Sequence, residues 1–145
     1  MSKSVGMLLK KLTVTYGLVI DKRMAEIDVT KSQSDVLVQL ILHGKLTQRE
    51  LCDINGVTAA SMSRMIHNLE EKQLITIEKS EADPRKNYVD LTPKAKQLEG
   101  EIVNIKETVH QAMMRGISTH EVEVLSQALD TMENNLAHLF EDTLP

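Results

Sequence analysis

The stretch that most narrows the fold runs from Thr47 to Leu69 and reads TQRELCDINGVTAASMSRMIHNL. Thr47 with Glu50 three residues later is a capping-box pattern, so a helix should start there. Gly56 follows two helical turns later, where the chain must stop and reverse and where glycine reaches positive φ without a Cβ clash. Thr58 caps a second helix, whose Met62, Ile66 and Leu69 recur on one face with Met65 at the flank. Leu51, Cys52 and Ile54 are expected on the inner face of the first helix, and Val57 in the corner. Two short helices joined by so tight a turn, the second with one inward stripe and one polar face, read as a helix-turn-helix.

The flanking segments complete the pattern. Val5 to Ile27 is amphipathic, with Val5, Leu8, Leu9, Leu12, Tyr16, Val19, Ile20 and Ile27 at three-to-four spacing. A helix from Lys31 to His43 is capped by Thr30 with Gln33, turns Val36, Leu37, Leu40 and Ile41 inward, and stops at Gly44. After the helix over Ala59–Lys72 the period drops to two: LITIEK (Leu74–Lys79) and YVDL (Tyr88–Leu91) read as strands, joined by SEADPRKN as a long flexible tip. Thr92-Pro93 then starts a helix with the stripe Leu98, Ile102, Ile105, Val109 and Met113. Ser118 with Glu121 starts another, with Val122, Leu125, Leu129, Met132, Leu136 and Leu139. The fold class is therefore mainly α with a small β-hairpin wing: a winged helix-turn-helix over 30–92, flanked by helices over 5–29 and 93–140, in a single domain of 145 residues.

The polar face of the second helix carries the functional information. Thr58, Ala59, Ala60, Ser61, Ser63, Arg64, His67 and Asn68 lie opposite the apolar stripe. Small residues at a helix start permit close approach to a groove, and Ser, Arg and Asn donate to phosphates or base edges. A hairpin placed directly after such a helix suits a wing, and its tip holds Asp83, Arg85 and Lys86. Arginine favours the negative potential of a narrow minor groove, and Asp83 is placed to hold the loop or Arg85 by a charge-assisted hydrogen bond. Lys31, Ser32 and Gln48, at two other helix starts, are candidates for the DNA backbone. A solvated helix face and a mobile polar loop would explain the same residues without DNA.

Net charge of −4 is adverse to a polyanionic partner, but it is unevenly spread. From Ser118 onward there are six acidic residues and no Lys or Arg, which leaves 17 basic against 15 acidic groups before it. Local surface charge matters more than the total. Acidic terminal helices are also common in proteins of every function. No apolar run approaches the roughly 18 residues of a membrane span. The start MSKSVGMLLKKL lacks the apolar core and cleavage pattern of a signal peptide, and one cysteine allows no internal disulfide, so a cytoplasmic protein is expected. Enzymatic motifs are missing: no GxSxG, no phosphate-binding Gly-rich loop, no HExxH and no Cys/His cluster. No catalytic residue, cofactor or metal is assigned.

The segments LTQRELCDINGVTAASMSRMIHNLEEKQLI, DPRK and VDLTPKAKQL together resemble the MarR family of transcription regulators over almost the whole chain. GISTHEVEVLSQALDTMENNL is similar to its SlyA-type branch. The resemblance implies a homodimer in which the N-terminal helix and the two C-terminal helices form the interface, here Leu8, Leu12, Ile117, Val122, Leu125, Leu129, Met132 and Leu136. It implies a recognition helix starting near Thr58 and a wing arginine at Arg85 beside Asp83. It further implies a repressor on a pseudo-palindromic operator, with half-sites about one helical turn, ~34 Å, apart. Two positions depart from the family pattern. Gln73 stands where Gly commonly ends the recognition helix, so the helix end is either strained or avoids positive φ. Pro84 stands where a second basic residue is common in the wing.

Relatives of this kind are released from DNA by small phenolic ligands, by oxidation or by metal. A small aromatic ligand between the DNA-binding lobe and the dimer helices fits the resemblance, although no residue is marked for it. Met24, Met62, Met65, Met113 and Met114 could line such a cavity or simply fill the core. Cys52 reads better as a buried structural thiol than as a sensor. His43, His67, His110, His120 and His138 show no metal-ligand spacing. The alternative function is a winged-helix interaction module or anti-repressor that does not bind DNA.

Overall fold

In the computed structural model residues 4–143 are described, and among them the chain forms six α-helices and three short strands. It divides into two compact units after Val109. The first holds α1 (Val5–Met24), α2 (Lys31–His43), β1 (Leu46–Thr47), α3 (Gln48–Asn55), α4 (Ala59–Glu71), β2 (Ile75–Lys79), β3 (Asn87–Leu91) and most of α5 (Pro93–Met113). The second holds the end of α5 and α6 (Thr119–Thr143).

The helix starts follow the local sequence. Thr30 and Thr47 each accept a hydrogen bond from the backbone N–H three residues on, while Gln33 and Glu50 accept the N–H of the cap in return. Ser118 and Glu121 exchange the same pair of bonds in the second unit. The Glu121 carboxylate accepts two hydrogen bonds, from the Ser118 N–H and from its hydroxyl, both at 2.8 Å. The backbone bond and then the hydroxyl bond hold the Glu121 carboxyl below the usual glutamate range.

Two helix ends in the first unit use the left-handed conformation without glycine. The expected helix through Ile27 ends instead at Met24, and Ala25–Ile27 tighten into a 3₁₀ turn. Asp28 then takes φ 56°, its N–H reaching Ala25 O and that of Val29 reaching Met24 O, both at 3.1 Å. The same pattern closes α4. Gln73 has φ 61°, its N–H donates to Glu70 O and that of Leu74 to Leu69 O, both at 2.9 Å. These are the paired bonds of a Schellman motif, with Leu69 and Leu74 both buried beside it. Gln73 thus takes the conformation glycine would favour rather than avoiding it, with strain the consequence.

One core serves the first unit. α2 contributes Val36, Leu37 and Leu40, α4 contributes Met62, Ile66 and Leu69, and these meet Ile20 and Met24 of α1, Leu51 of α3, Val89 of β3 and Ile102 of α5. Met24 and Met62 are fully buried core residues, Met65 is half-buried against them, and Met113 is exposed. Two expected inward positions are therefore corrected. Ile54 is 46% exposed because it lies on the outer side of a helix of only eight residues, and Met113, the last residue of α5, is 38% exposed.

The sheet has three antiparallel strands in the order β1-β3-β2, one more than the expected hairpin. Leu46 pairs with Val89 and Thr47 with Tyr88, so the residues just before α3 are tied directly to the wing. β2 and β3 pair from Ile75↔Leu91 to Lys79↔Asn87. The tip between them, expected as a long flexible loop, closes as a hydrogen-bonded turn.

Candidate nucleic-acid interface

α4 is presented by the turn that precedes it. Gly56 has φ 64°, which ends α3, and Val57 donates to Cys52 O at 3.2 Å while packing against the core. Thr58 Oγ1 accepts the Ser61 N–H at 3.2 Å and caps α4. With Met62, Ile66 and Leu69 buried, Ala59, Ala60, Ser63, Arg64, His67 and Asn68 are exposed, and Ser61 is half-buried. The polar residues singled out in the sequence thus share the face opposite the core.

Four of these side chains have partners. Gln48 Nε2, at the start of α3, donates to Ser63 Oγ at 2.6 Å. Thr58 Oγ1 lies 3.1 Å from Ser61 Oγ. His67 Nε2 lies 3.2 Å from Glu71 Oε1, with both side chains about two-thirds exposed, which keeps the imidazole on the surface of α4. Arg64 is exposed and carries no ion pair among the described residues.

The wing tip is built around Asp83. Ser80 N–H donates to Lys86 O at 2.9 Å and Lys86 N–H to Asp83 O at 3.0 Å, closing a four-residue turn with Pro84 at its second position. Asp at the first place of such a turn and Pro at the second are both favoured, because Pro presets φ and the Asp side chain bonds the backbone two residues on. Asp83 Oδ1 accepts the Arg85 N–H at 3.0 Å and lies 3.6 Å from Arg85 Nε. The Arg85 side chain is nonetheless 93% exposed. Pro84 removes a charge and shapes the turn that displays Arg85.

The three backbone candidates differ. Ser32 is exposed in the first turn of α2. Lys31 is engaged: its Nζ lies 2.7 Å from Asp35 Oδ2, and its N–H donates to Asp21 Oδ1. Lys106 of α5 takes the other Asp35 oxygen at 2.6 Å. Gln48 is half-buried and sits in a cleft of about 960 Å³ between the start of α3, Ala59 and the wing residues Asp83, Arg85, Lys86 and Asn87. Cys52 lines the same cleft, half-buried and packed on the core. Among the described residues no group of three His, Cys, Asp or Glu is placed to hold a metal ion.

Sequence reasoning missed the clamp on the far end of α4. Lys72 Nζ donates to Asp28 O at 2.8 Å and to Gln33 Oε1 at 3.0 Å, joining the ends of α4 and of the 3₁₀ turn. Lys94 Nζ donates to Lys72 O at 2.9 Å, and the Thr92 hydroxyl donates to Gln73 O at 2.6 Å. Every partner lies on another element, so neither spacing nor capping patterns reveal it. Of the expected dimer residues, Leu8 and Leu12 on α1 are 46% and 52% exposed. In the second unit Leu125, Leu129 and Leu136 are 47%, 38% and 65% exposed, Ile117 is 41% exposed, and Val122 and Met132 are half-buried.

Residues 27–86 match the MarR family model. The chain is similar in structure to the transcriptional regulator SlyA, with a TM-score of 0.90 at 19% identity over 98% of this chain and 100% of that one. It is similar to a putative MarR family regulator from Listeria monocytogenes solved with a 26mer DNA, with a TM-score of 0.87, 23% identity and coverage of 94% and 91%. It is similar to BpsR of Bordetella bronchiseptica, solved for regulation of its DNA binding by 6-hydroxynicotinic acid, with a TM-score of 0.81, 24% identity and coverage of 90% and 99%. No helix among the described residues is long and apolar enough to cross a membrane. Residues 27–86 are similar to the MarR family, and the chain that carries them has the winged-helix fold seen in the MarR and SlyA structures.

Proposed function

We propose that the protein is a sequence-specific duplex-DNA-binding transcription regulator, a repressor acting as a homodimer on a pseudo-palindromic operator. The observation that carries this reading is the joint presentation of two donor surfaces. α4 exposes Ser63, Arg64 and Asn68 opposite its buried stripe, and the wing turn holds Arg85 out beside it. A helix of this kind fits the major groove, and an arginine on a hairpin suits the minor groove. The Listeria relative solved with DNA supports the same use of the fold. In this reading Thr58, Ala59, Ala60, Ser61, Ser63, Arg64, His67 and Asn68 face the major groove, Asp83, Arg85 and Lys86 face the wing groove, and Ser32, Gln48 and Lys31 face phosphates, Lys31 in competition with Asp35. Exposed leucines on α1 and on α6 support self-association, because a lone protomer leaves them in water. In this division 30–92 is the DNA-binding lobe and 5–29 with 93–140 the dimerisation helices.

Release by a small aromatic ligand is part of the proposal, supported by the ligand named for BpsR. The test of the whole reading is equilibrium binding to a labelled duplex at rising salt. With ~6 phosphate contacts per dimer, affinity falls by about 10³-fold between about 50 and about 200 mM salt. Salt-independent binding, or none at low salt, would leave an interaction module as the better reading.

A further inference from the structure

We infer that the cleft between the start of α3 and the wing tip is a phosphodiester site with Arg49 as its main ligand. It seats the DNA strand that runs between the major groove read by α4 and the minor groove entered by the wing. This rests on the DNA-binding reading above and names a contact which that reading leaves out.

The cleft lies between the two reading elements. Ala59, the first residue of α4, lines it together with Arg85 and Lys86 of the wing and Arg49 of α3. A sugar-phosphate strand separates each major groove from the neighbouring minor groove, so it must pass between elements bound in the two. With α4 in one groove and the wing in the other, that strand crosses this cleft.

The cleft holds three cations in different states. Arg85 Nε lies 3.6 Å from Asp83 Oδ1. Arg49 and Lys86 are exposed and carry no ion pair among the described residues. Two of the three carboxylates there are turned to the chain's own backbone, Glu50 accepting the Thr47 N–H at 2.9 Å and Asp83 the Arg85 N–H at 3.0 Å. The third, Asp53, lies one turn along α3 from Arg49 and forms no ion pair with it. Arg49 therefore keeps its planar fork of donors, which matches two phosphate oxygens at once. Its backbone is well fixed for the task. The residue two places before it, Thr47, pairs with Tyr88 of β3 and closes the capping box with Glu50, so the start of α3 is tied to the wing. A free arginine on a fixed backbone, converging with Lys86 on one cleft, suits an anchor for the strand.

The test uses the full chain and a duplex that it selects from a random library, with circular dichroism melts showing that each variant folds. Arg49→Gln should lower the slope of log affinity against log salt by about 0.9 for each protomer bound, about 1.8 for a homodimer. The affinity lost between about 50 and about 200 mM salt then shrinks by about tenfold. Arg49→Lys should restore the slope, because it restores the charge. Base preference should not move in either variant, since a phosphate contact carries no sequence information. Duplexes with one neutral methylphosphonate linkage at a time then locate the contact. One linkage in each half-site should abolish the difference between wild type and Arg49→Gln, and Lys86→Gln should be silenced at the same linkage or the one next to it. The inference is overturned if the wild-type chain binds but Arg49→Gln keeps its salt slope, if no single linkage silences Arg49→Gln, or if Arg49 and Lys86 map to separated linkages. If the wild-type chain binds no duplex even at low salt, the DNA-binding reading falls, and the inference with it.

Discussion

Gln73 occupies a conformation that a glycine would hold more easily, so Gln73→Gly should stabilise the protein. Its φ of 61° places it in the left-handed region, where a residue with a Cβ is strained by about 1–2 kcal/mol. Glycine gives back about 0.5–1 kcal/mol through the greater freedom of its unfolded chain. The net gain is about 0.5–1 kcal/mol. Little else changes, because the Gln73 side chain is exposed and the bonds at this position are made by its backbone N–H and C=O. Gly56→Ala is the mirror experiment. It has φ 64° and open space around a built Cβ, so the loss of about 1 kcal/mol is conformational alone. Urea unfolding at one fixed protomer concentration reads both changes. For a slope of about 2 kcal/mol/M, Gln73→Gly raises the midpoint by about 0.3–0.5 M and Gly56→Ala lowers it by about 0.5 M, with the slope unchanged. A lowered midpoint for Gln73→Gly would refute the strain reasoning. So would an unchanged one for Gly56→Ala.

Arg64→Ala and Arg85→Ala should each weaken operator binding by about 1–3 kcal/mol in a gel-shift titration while the melting curve stays put. Unchanged binding in both would remove these residues from the interface. Lys72→Met removes the ammonium that joins Asp28 O and Gln33 Oε1, and chemical unfolding should show a loss of about 1 kcal/mol, reduced from a fully buried charged hydrogen bond by partial exposure. No loss would mean that water replaces the clamp. Ser118→Ala should raise the Glu121 pKa toward the ordinary glutamate range, read by NMR titration of its carboxyl carbon. The sign follows from linkage: a depressed folded pKa adds stability above the unfolded value, and that contribution is lost as pH falls toward the folded one. An unchanged titration would show that the Ser118 hydroxyl adds nothing and that the backbone N–H alone lowers it.

Features decided within a few residues were legible in the sequence. The capping pairs Thr30–Gln33, Thr47–Glu50 and Ser118–Glu121 each form, because both partners lie within one turn. The buried stripe of α4 and the glycine ending α3 were legible for the same reason. Features decided by tertiary placement were not. β1 has two residues, too few to show a period of two, and exists because β3 pairs with it. Ile54 carried the right residue type for a core but lies on the wrong side of a short helix. The Gln48–Ser63 bond spans 15 residues and the Lys72–Asp28 bond spans 44, so no local pattern announces either. Pro84 looked like a lost wing charge in the sequence, and the turn around Asp83 shows its structural use.

Selection of bound duplexes from a random library by the wild-type chain tests the central claim most directly. The account predicts an enriched pseudo-palindrome with half-sites about one helical turn, ~34 Å, apart, as two symmetry-related α4 helices require. Enrichment of nothing, or of a single site without dyad symmetry, would contradict a homodimeric sequence-specific regulator.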